Sequence, residues 1–323
     1  MSGRAKVRGI YRWIGSLMIL LWAAQAAFAQ DFPAPGKPVR VIVGFPPGGG
    51  ADLAARMLAP KLSETWNHPV IVDNRPGAGG NLGAELVAKA STDGHTLLVM
   101  PGPSALSLFP KLAFDMRKDF APITLAGRAP NVVVVHPSVP AFTVKELIAL
   151  ARSQPGKLNY ASSGLGLTPH LSGELFRKMT KTNIVHVPYK GAGPAVTDLL
   201  GGHVDMLSVS IPAVVGFIKS RRLRALGVTS DKRWFLLSDV PTLQEAGVPG
   251  YELYGWWGLL APAKTPPDVV KKVHAAAAKG LNSADVKKRF ADEGVEVVAN
   301  TPAQFGDFFQ KEIMKWDGLF AGN

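Results

Sequence analysis

Apolar residues follow two alternating spacings along the chain, and this pattern predicts strands that are each followed by a helix. The run Val39–Val43 is short and β-branched, as in a buried strand, and apolar residues then recur at helical spacing. The same order returns after the segments 70–72 and 96–100. Pro60 lies inside the first predicted helix, which we expect to kink or break there. Strands that alternate with helices in this way predict an α/β fold with a parallel sheet covered on both faces.

The alternation continues, and the end of the chain is mostly helical. Further strands are predicted at 123–126, 132–135, 159–161, 184–187, 204–209, 223–228 and 254–260. Helices are then predicted at 267–281, 283–293 and 302–320. Because this terminal block has little strand of its own, we expect it to pack back on the first sheet. The sequence therefore predicts a discontinuous first domain, residues 30–130 plus 255–323, and a second domain, residues 131–254.

Residues 1–29 have the three parts of a secretory signal peptide. An apolar stretch at 14–24 follows a basic segment and precedes the small-x-small site Ala27-Phe28-Ala29. The basic residues are Arg4, Lys6, Arg8 and Arg12. An uncleaved membrane anchor is the alternative, but the apolar run is shorter than the roughly 20 residues that a membrane span needs. We expect cleavage near Ala29 and a mature protein in the periplasm.

The charge and the composition exclude several classes of function. Without residues 1–29 the formal charge falls from +12 to +8, and the remaining basic residues are dispersed, so we expect no nucleic-acid partner. The chain has no Cys, which excludes disulfides, thiolate metal ligands and a Cys nucleophile. A chain of 323 residues fits about two domains. These features indicate an exported protein that diffuses freely, and we expect a monomer.

Four loops that contain glycine each lead into a predicted helix, at 48–50, 77–80, 162–166 and 191–193. In two of them, Thr168-Pro169 and Gly193-Pro194 predict the N-cap and the first helical residue. A helix N-terminus presents free N–H groups and partial positive charge, and glycine lets a ligand approach the backbone. Two such ends facing each other could bind a carboxylate or phosphate. Each loop is also consistent with an ordinary turn, but four in one chain favour an anion site.

Other kinds of site find little support in the sequence. The glycine loops lack the residues that complete a P-loop or a dinucleotide fingerprint, and no serine lies in a Gly-x-Ser-x-Gly frame. His170 and Glu174 share one helix face, but no second histidine-rich segment completes a metal site, so His170 is more typical of a cap or of the core edge. Asp52 and Asp205 could contact a ligand or only support their turns. We expect no catalytic residue, metal or cofactor.

Motifs along the whole mature chain resemble the periplasmic solute-binding receptors of tripartite tricarboxylate transporters, the Bug-type receptors. The first half carries Pro46-Pro47-Gly48-Gly49-x-x-Asp52, Asn74-Arg75-Pro76-Gly77-Ala78-Gly79-Gly80 and Asp93-Gly94-x-Thr96-Leu97-Leu98. The second half carries Ser162-Ser163-Gly164, His170-Leu171-x-Gly173-Glu174, Val187-Pro188-Tyr189-Lys190-Gly191, Asp198-Leu199-Leu200-Gly201-Gly202-x-Val204-Asp205, Leu223-Arg224-Ala225-Leu226, Asp239-Val240-Pro241-Thr242 and Gly258-Leu259-Leu260-Ala261-Pro262.

The resemblance implies a two-lobed, type II periplasmic binding protein that closes by a hinge on a small carboxylate and delivers it to membrane transporter subunits. In the family, the loops that correspond to 46–52 and 162–168 hold the ligand carboxylate. The expected ligand-binding residues are Phe45, Pro47, Gly48, Gly49, Asp52, Ser104, Ser162, Ser163, Gly164, Gly166, Thr168, His170, Tyr189, Gly191 and Asp205.

The chain departs from the family pattern at positions that concern the ligand. Leu165 and Leu167 make the second loop more apolar than usual, and the segment 207–210 is less aromatic and less acidic than is common. These departures suggest a ligand with a less polar tail. Two other functions stay open: the ligand-binding component of a sensory system, and an exported enzyme that acts on a small carboxylate.

Overall fold

The computed structural model describes residues 32–102 and 112–320, so the predicted signal peptide lies outside the described residues. The strands are β1 (Val39–Val43), β2 (Val70–Asn74), β3 (Thr96–Gly102), β4 (Phe120–Val135), β5 (Asn159–Ser162), β6 (Val185–Pro188), β7 (Met206–Ser210), β8 (Arg224–Val228), β9 (Tyr254–Pro262) and β10 (Glu296–Val297). The α-helices are α1 (Gly50–Trp66), α2 (Asn81–Ala88), α3 (Val144–Ser153), α4 (Thr168–Thr180), α5 (Ala192–Leu200), α6 (Ile211–Lys219), α7 (Pro267–Leu281), α8 (Ala284–Asp292) and α9 (Pro302–Phe320).

The strands form one sheet whose two ends are parallel and whose centre is antiparallel. The order is β2-β1-β3-β9-β4-β7-β5-β6, and β8 and β10 pair with β4. Strand β1 is parallel to β2 and β3, and β5 is parallel to β6 and β7. The parallel order predicted from the strand–helix alternation therefore holds at both ends, whereas β4 and β9 run antiparallel between them.

Strand β4 corrects one sequence prediction. The two short strands expected at 123–126 and 132–135 are parts of one continuous strand. Arg128 lies between those two segments, where its Nε donates a hydrogen bond to Glu296 at 2.8 Å and its guanidinium lies over the ring of Tyr254. The first part of β4 pairs with β9 and the last part with β7 and β8. One strand thus connects the two parallel ends of the sheet.

Two helices also differ from the sequence prediction. Helix α1 continues through Pro60, which lies on the exposed side, where water can bind the carbonyl that the missing proline N–H leaves free. Helix α6 has no counterpart among the predicted elements. Its residues are apolar on most sides, with Ile211 and Val214 buried and Phe217 packed against the same core, so it shows little of the polar face that marks a helix in sequence.

The terminal helix α9 contacts two hydrophobic cores. Phe305 and Phe309 pack with residues of β1, β3 and β9, while Trp316 is buried in a second core with Tyr160 and Phe176. The boundaries of the two domains, 30–130 plus 255–323 and 131–254, remain predictions. Across the described part of the chain, no helix has both the length and the apolar character to cross a bilayer.

The contact between α9 and β9 can be tested at a glycine. A Cβ at Gly258 would lie 2.1 Å from Cζ of Phe305, so we expect Gly258→Ala to lower the free energy of unfolding by about 1–3 kcal/mol through overpacking. Gly216 in α6 is the control, because a Cβ there meets no atom within 4 Å. Gly216→Ala should raise stability by roughly 0.5–1 kcal/mol, as expected for an exposed helix position. Urea unfolding measures both, and equal midpoints would contradict the packing.

Candidate functional site

A cleft of about 250 Å³, partly open to solvent, lies where the loop before α1 meets the loops before α4, α5 and α6. Strands β3, β4, β7 and β9 contribute the rest of its wall. The lining residues are Phe45, Gly49, Gly50, Ala51, Pro101, Gly102, Ala129, Asn131, Ser163, Leu167, Thr168, Pro169, Ala192, Val209, Ser210, Gly255, Trp256 and Trp257. A small adjoining cavity of about 50 Å³ shares Phe45 and Thr168 and reaches the glycine loop at Gly79 and Gly80.

Four helix N-termini converge on this cleft. Gly49 is the N-cap of α1, Leu167 that of α4 and Ser210 that of α6, and Ala192 is the first residue of α5. Each N-terminus presents backbone N–H groups with partial positive charge. Of the described residues that line the cleft, none is charged. The cleft therefore offers an anion neutral amide donors from both ends of the sheet.

Some of the expected ligand-binding residues line the cleft or flank it. Phe45, Gly49, Ser163 and Thr168 line it directly. The others that belong to its loops are Pro47, Gly48, Gly164, Gly166 and Gly191. Ser104 lies outside the described residues.

The starts of two helices differ from the sequence prediction. Helix α4 is capped by Leu167, so Thr168 is its first residue and not its N-cap, and the Thr168 hydroxyl lies 3.5 Å from the carbonyl oxygen of Gly102. Helix α5 is capped by Gly191 and not by Gly193. Gly191 has φ of 118°, a conformation that side chains disfavour, and this backbone requirement fixes where the helix begins.

Asp52 supports the first loop and does not line the cleft. It is 4% exposed, and its carboxylate accepts hydrogen bonds from the Gly48 N–H at 3.0 Å, Arg56 Nε at 2.8 Å and Asn74 Nδ2 at 3.0 Å. Burial by itself raises the pKa of Asp52, but these hydrogen bonds and the charge of Arg56 outweigh it and lower the pKa. Asn74 also donates to the Phe45 carbonyl at 3.0 Å. Asp52 thus shapes the loop that enters α1.

Ser162 and His186 shape the second loop. The Ser162 hydroxyl is buried, lies 2.6 Å from Nε2 of His186 and accepts the Gly164 N–H at 3.2 Å. A serine and histidine so close resemble part of a hydrolase triad, but the hydroxyl is enclosed and holds the loop. Burial lowers the pKa of His186.

His170 supports the same loop from the other side. It is buried, and its Nδ1 accepts the Gly166 N–H at 3.1 Å, so Nδ1 carries no proton. Its ring lies 4.3 Å from that of His186. Burial and the neighbouring His186 lower the pKa of His170 to about 4, with Arg177 acting in the same direction and Glu174 against it. The core-edge interpretation of His170 therefore fits its position better than direct ligand contact.

Tyr189 and Asp205 also lie away from the cleft. The Tyr189 hydroxyl donates to Asp198 at 2.6 Å, which, with burial, raises the pKa of Tyr189 to about 12. The Asp205 carboxylate accepts the Asn159 N–H at 2.8 Å, and Asn159 in turn accepts the Asp205 N–H at 3.0 Å. Tyr189 ties its loop to α5, and Asp205 ties β7 to β5.

The sequence reasoning missed several lining residues. Asn131, Ala192, Ser210 and Gly255 lie in strands or at helix starts whose motifs carry no chemical signature. In the sequence, the neighbouring residues Trp256 and Trp257 indicated only a position in the core or at its rim. In the structure Trp256 is buried, and its indole Nε1 donates a hydrogen bond to Glu312 at 2.9 Å. Trp257 is half-buried and forms part of the cleft wall. Among the described residues of the wall, the glycine loops and the segment 207–210 were the parts with a sequence signal.

The stability of the second loop should depend on pH through His170. An unfolded histidine takes up its proton near pH 6.5, but folded His170 does so only near pH 4, so the protein loses stability as the pH falls through this window. His186 acts in the same direction. We expect His170→Gln to reduce this dependence in melting temperatures measured across the window. His203→Gln, an exposed histidine, should keep the wild-type dependence. An unchanged slope in His170→Gln would contradict the assignment.

Known proteins with this fold give the site a family context. The profile of the tripartite tricarboxylate transporter family receptor, TctC, matches residues 54–321. Protein BugT of Bordetella pertussis is 37% identical over 310 residues, which cover 95% of this chain and 94% of BugT.

Two solved structures from Rhodopseudomonas palustris are also similar. Rpa4515 with adipate is 35% identical, with a TM-score of 0.78 and coverage of 88% of this chain and 96% of its own. MatC with bound malate is 34% identical, with a TM-score of 0.78 and coverage of 88% of this chain and 99% of MatC. The fold is therefore that of periplasmic binding proteins, and the chain belongs to the receptor family of tripartite tricarboxylate transporters.

Proposed function

We propose that this protein captures a small organic carboxylate in the cleft and delivers it to the membrane subunits of a tripartite tricarboxylate-type transporter. The observation that carries the proposal is the convergence of four helix N-termini on a cleft whose described lining residues are uncharged. The adipate in Rpa4515 and the malate in MatC support an organic carboxylate as the ligand class.

Ligand capture would work by closure of the two sides of the cleft. The loop at Phe45–Ala51 belongs to the end of the sheet around β1, and the loops at Ser163 and Ala192 belong to the end around β5. A carboxylate held by one side supplies acceptors for the amides of the other. Such a ligand binds the closed state more tightly than the open one. The equilibrium between the two states shifts toward the closed state to the extent set by this difference in affinity. Strands β4 and β9 connect the two sides and are the proposed hinge.

The same contacts argue against catalysis as the function. The Ser162 hydroxyl lies 2.6 Å from Nε2 of His186, but the residue is 0% exposed and the hydroxyl is bound to the loop backbone. Within residues 32–102 and 112–320, no group of three acidic or histidine side chains is placed to hold a metal. We propose a monomeric receptor without a cofactor or nucleic-acid partner. A sensor would use the same cleft, and reconstituted uptake with the membrane subunits separates the two roles.

The cleft assignment can be tested at Gly49. Its backbone is extended, with φ of −86°, and a Cβ there meets no atom within 4 Å, so this cleft-lining position accepts a larger side chain without strain. We expect Gly49→Leu to weaken carboxylate binding by at least about tenfold, because the side chain occupies the position of the anion beside the amides. Calorimetry with the best ligand from a panel of mono-, di- and tricarboxylates measures the change.

The matched control is Gly318→Leu, a position in α9 with the same open surroundings. It should bind as the wild type does, and both variants should remain fully folded at the temperature of the binding measurement. Gly164 is a poor alternative, because its φ of 138° makes any substitution strained. Wild-type affinity in folded Gly49→Leu would rule out this cleft as the binding site.

Export can be tested separately. Expression of the full chain in a Gram-negative host should give a periplasmic protein that begins at Gln30, as judged by intact mass. Replacing the small residue at the cleavage site, as in Ala29→Leu, should leave the precursor uncut because signal peptidase requires a small side chain there. Full-length mass for the wild-type protein would contradict a cleaved signal peptide.

A further inference from the structure

Apolar side chains form the wall of the cleft between the helix ends. Phe45 lies on the side of α1, Leu167 and Val209 lie on the side of α4 and α6, and Trp257 comes from β9 between them. Contact with such side chains favours apolar groups on a ligand, because apolar surface is removed from water on both partners.

The Trp257 ring has a fixed position beside an anion-binding helix end. A Cβ on Gly50, the first residue of α1, would lie 2.3 Å from Cζ2 of Trp257, so the ring lies directly against the start of that helix. The backbone of Trp257 is held in register between Pro101 of β3 and Gly127 of β4. A ligand whose carboxylate reaches the α1 amides must therefore place its adjacent atoms near this ring.

Polar side chains are found mainly at the helix ends and not on the wall between them. Ser163 precedes α4, Thr168 begins it, and Ser210 caps α6. Asn131 is the polar residue on the wall, and its Nδ2 is directed at the carbonyl and the hydroxyl of Ser208, both at 3.4 Å. Hydroxyl groups on the body of a ligand would find few partners there, and an unpaired buried hydroxyl costs binding free energy.

The structure also separates the two leucines of the second loop. Leu167 lines the cleft, whereas Leu165 is 53% exposed and does not. Of the segment that follows Asp205, Val209 and Ser210 reach the cleft. The apolar character of this loop therefore acts on the ligand through Leu167.

We propose that the ligand is an organic acid with an apolar body, aliphatic or aromatic, and not a hydroxylated carboxylate. This inference rests on the proposed function, since it assumes that the cleft binds a carboxylate at all. The amides at the helix ends hold the charged group, and Phe45, Leu167, Val209 and Trp257 hold the body.

Matched pairs of acids test the proposal with the wild-type protein. Hexanoate and gluconate share chain length and charge but differ in hydroxyl groups, as do adipate and galactarate, and cyclohexanecarboxylate and quinate. We expect the apolar member of whichever pairs bind to bind at least about tenfold more tightly in calorimetry. Tighter or equal binding of the hydroxylated members would overturn the inference and leave the proposed function standing. If no acid of any pair and no member of the panel of mono-, di- and tricarboxylates binds, the proposed function itself fails.

A matched pair of variants tests the wall directly. Leu167 is the N-cap of α4 without a side-chain cap hydrogen bond, so Leu167→Thr places a favoured cap residue there and replaces an apolar wall group by a polar one. We expect it to weaken binding of the preferred apolar acid by about tenfold and to narrow its preference over the hydroxylated partner. Leu165→Thr makes the same change on the same loop outside the cleft and should leave both affinities unchanged. Equal effects of the two variants, or an unchanged preference in Leu167→Thr, would contradict the proposal.

Discussion

The structure of the site depends on one requirement: backbone N–H groups must be held in place so that they can bind an anion without help from a charged side chain. Amides are weak donors individually, so their positions must be fixed before the ligand arrives. Here buried polar side chains fix them. Asp52 holds the loop into α1, and His170 and the Ser162–His186 pair hold the loop into α4. In the structure these charged and titratable groups are bonded to the loops.

The sheet brings these loops together. Strand β4 pairs with β9 along its first part and with β7 and β8 along its last part, so one strand belongs to both ends of the sheet. Strands β1 and β5 run in opposite directions, but the carboxyl end of β3 is level with Arg128 of β4 and the carboxyl end of β7 lies opposite Asn131. The carboxyl ends of both parallel parts therefore meet at the middle of β4, and the starts of α1 and α4 face a common space. Arg128 lies in the middle of β4, bound to Glu296 and stacked on Tyr254, where it connects segments that are far apart in sequence.

The strand–helix order and the glycine loops could be predicted from the sequence, because both follow from local spacing and backbone chemistry. The role of a polar residue beside a loop could not be predicted in this way. His170 and Asp52 have the sequence context of ligand contacts, yet their hydrogen bonds run to the Gly166 and Gly48 amides, and only the folded backbone shows this direction. Trp257 was equally hidden, since its place in the wall depends on strand pairing across distant segments.

The division between the residues that hold the loops and the residues that line the wall has a consequence for specificity. A change at His170 or Asp52 removes a buried partner of a backbone amide, so it alters the fold of a loop and affects every ligand alike. A change at Leu167 or Val209 leaves those amides in place and alters only the surface that the ligand body contacts. Ligand preference in this scaffold can therefore shift through a few wall side chains while the anion-binding amides keep their geometry.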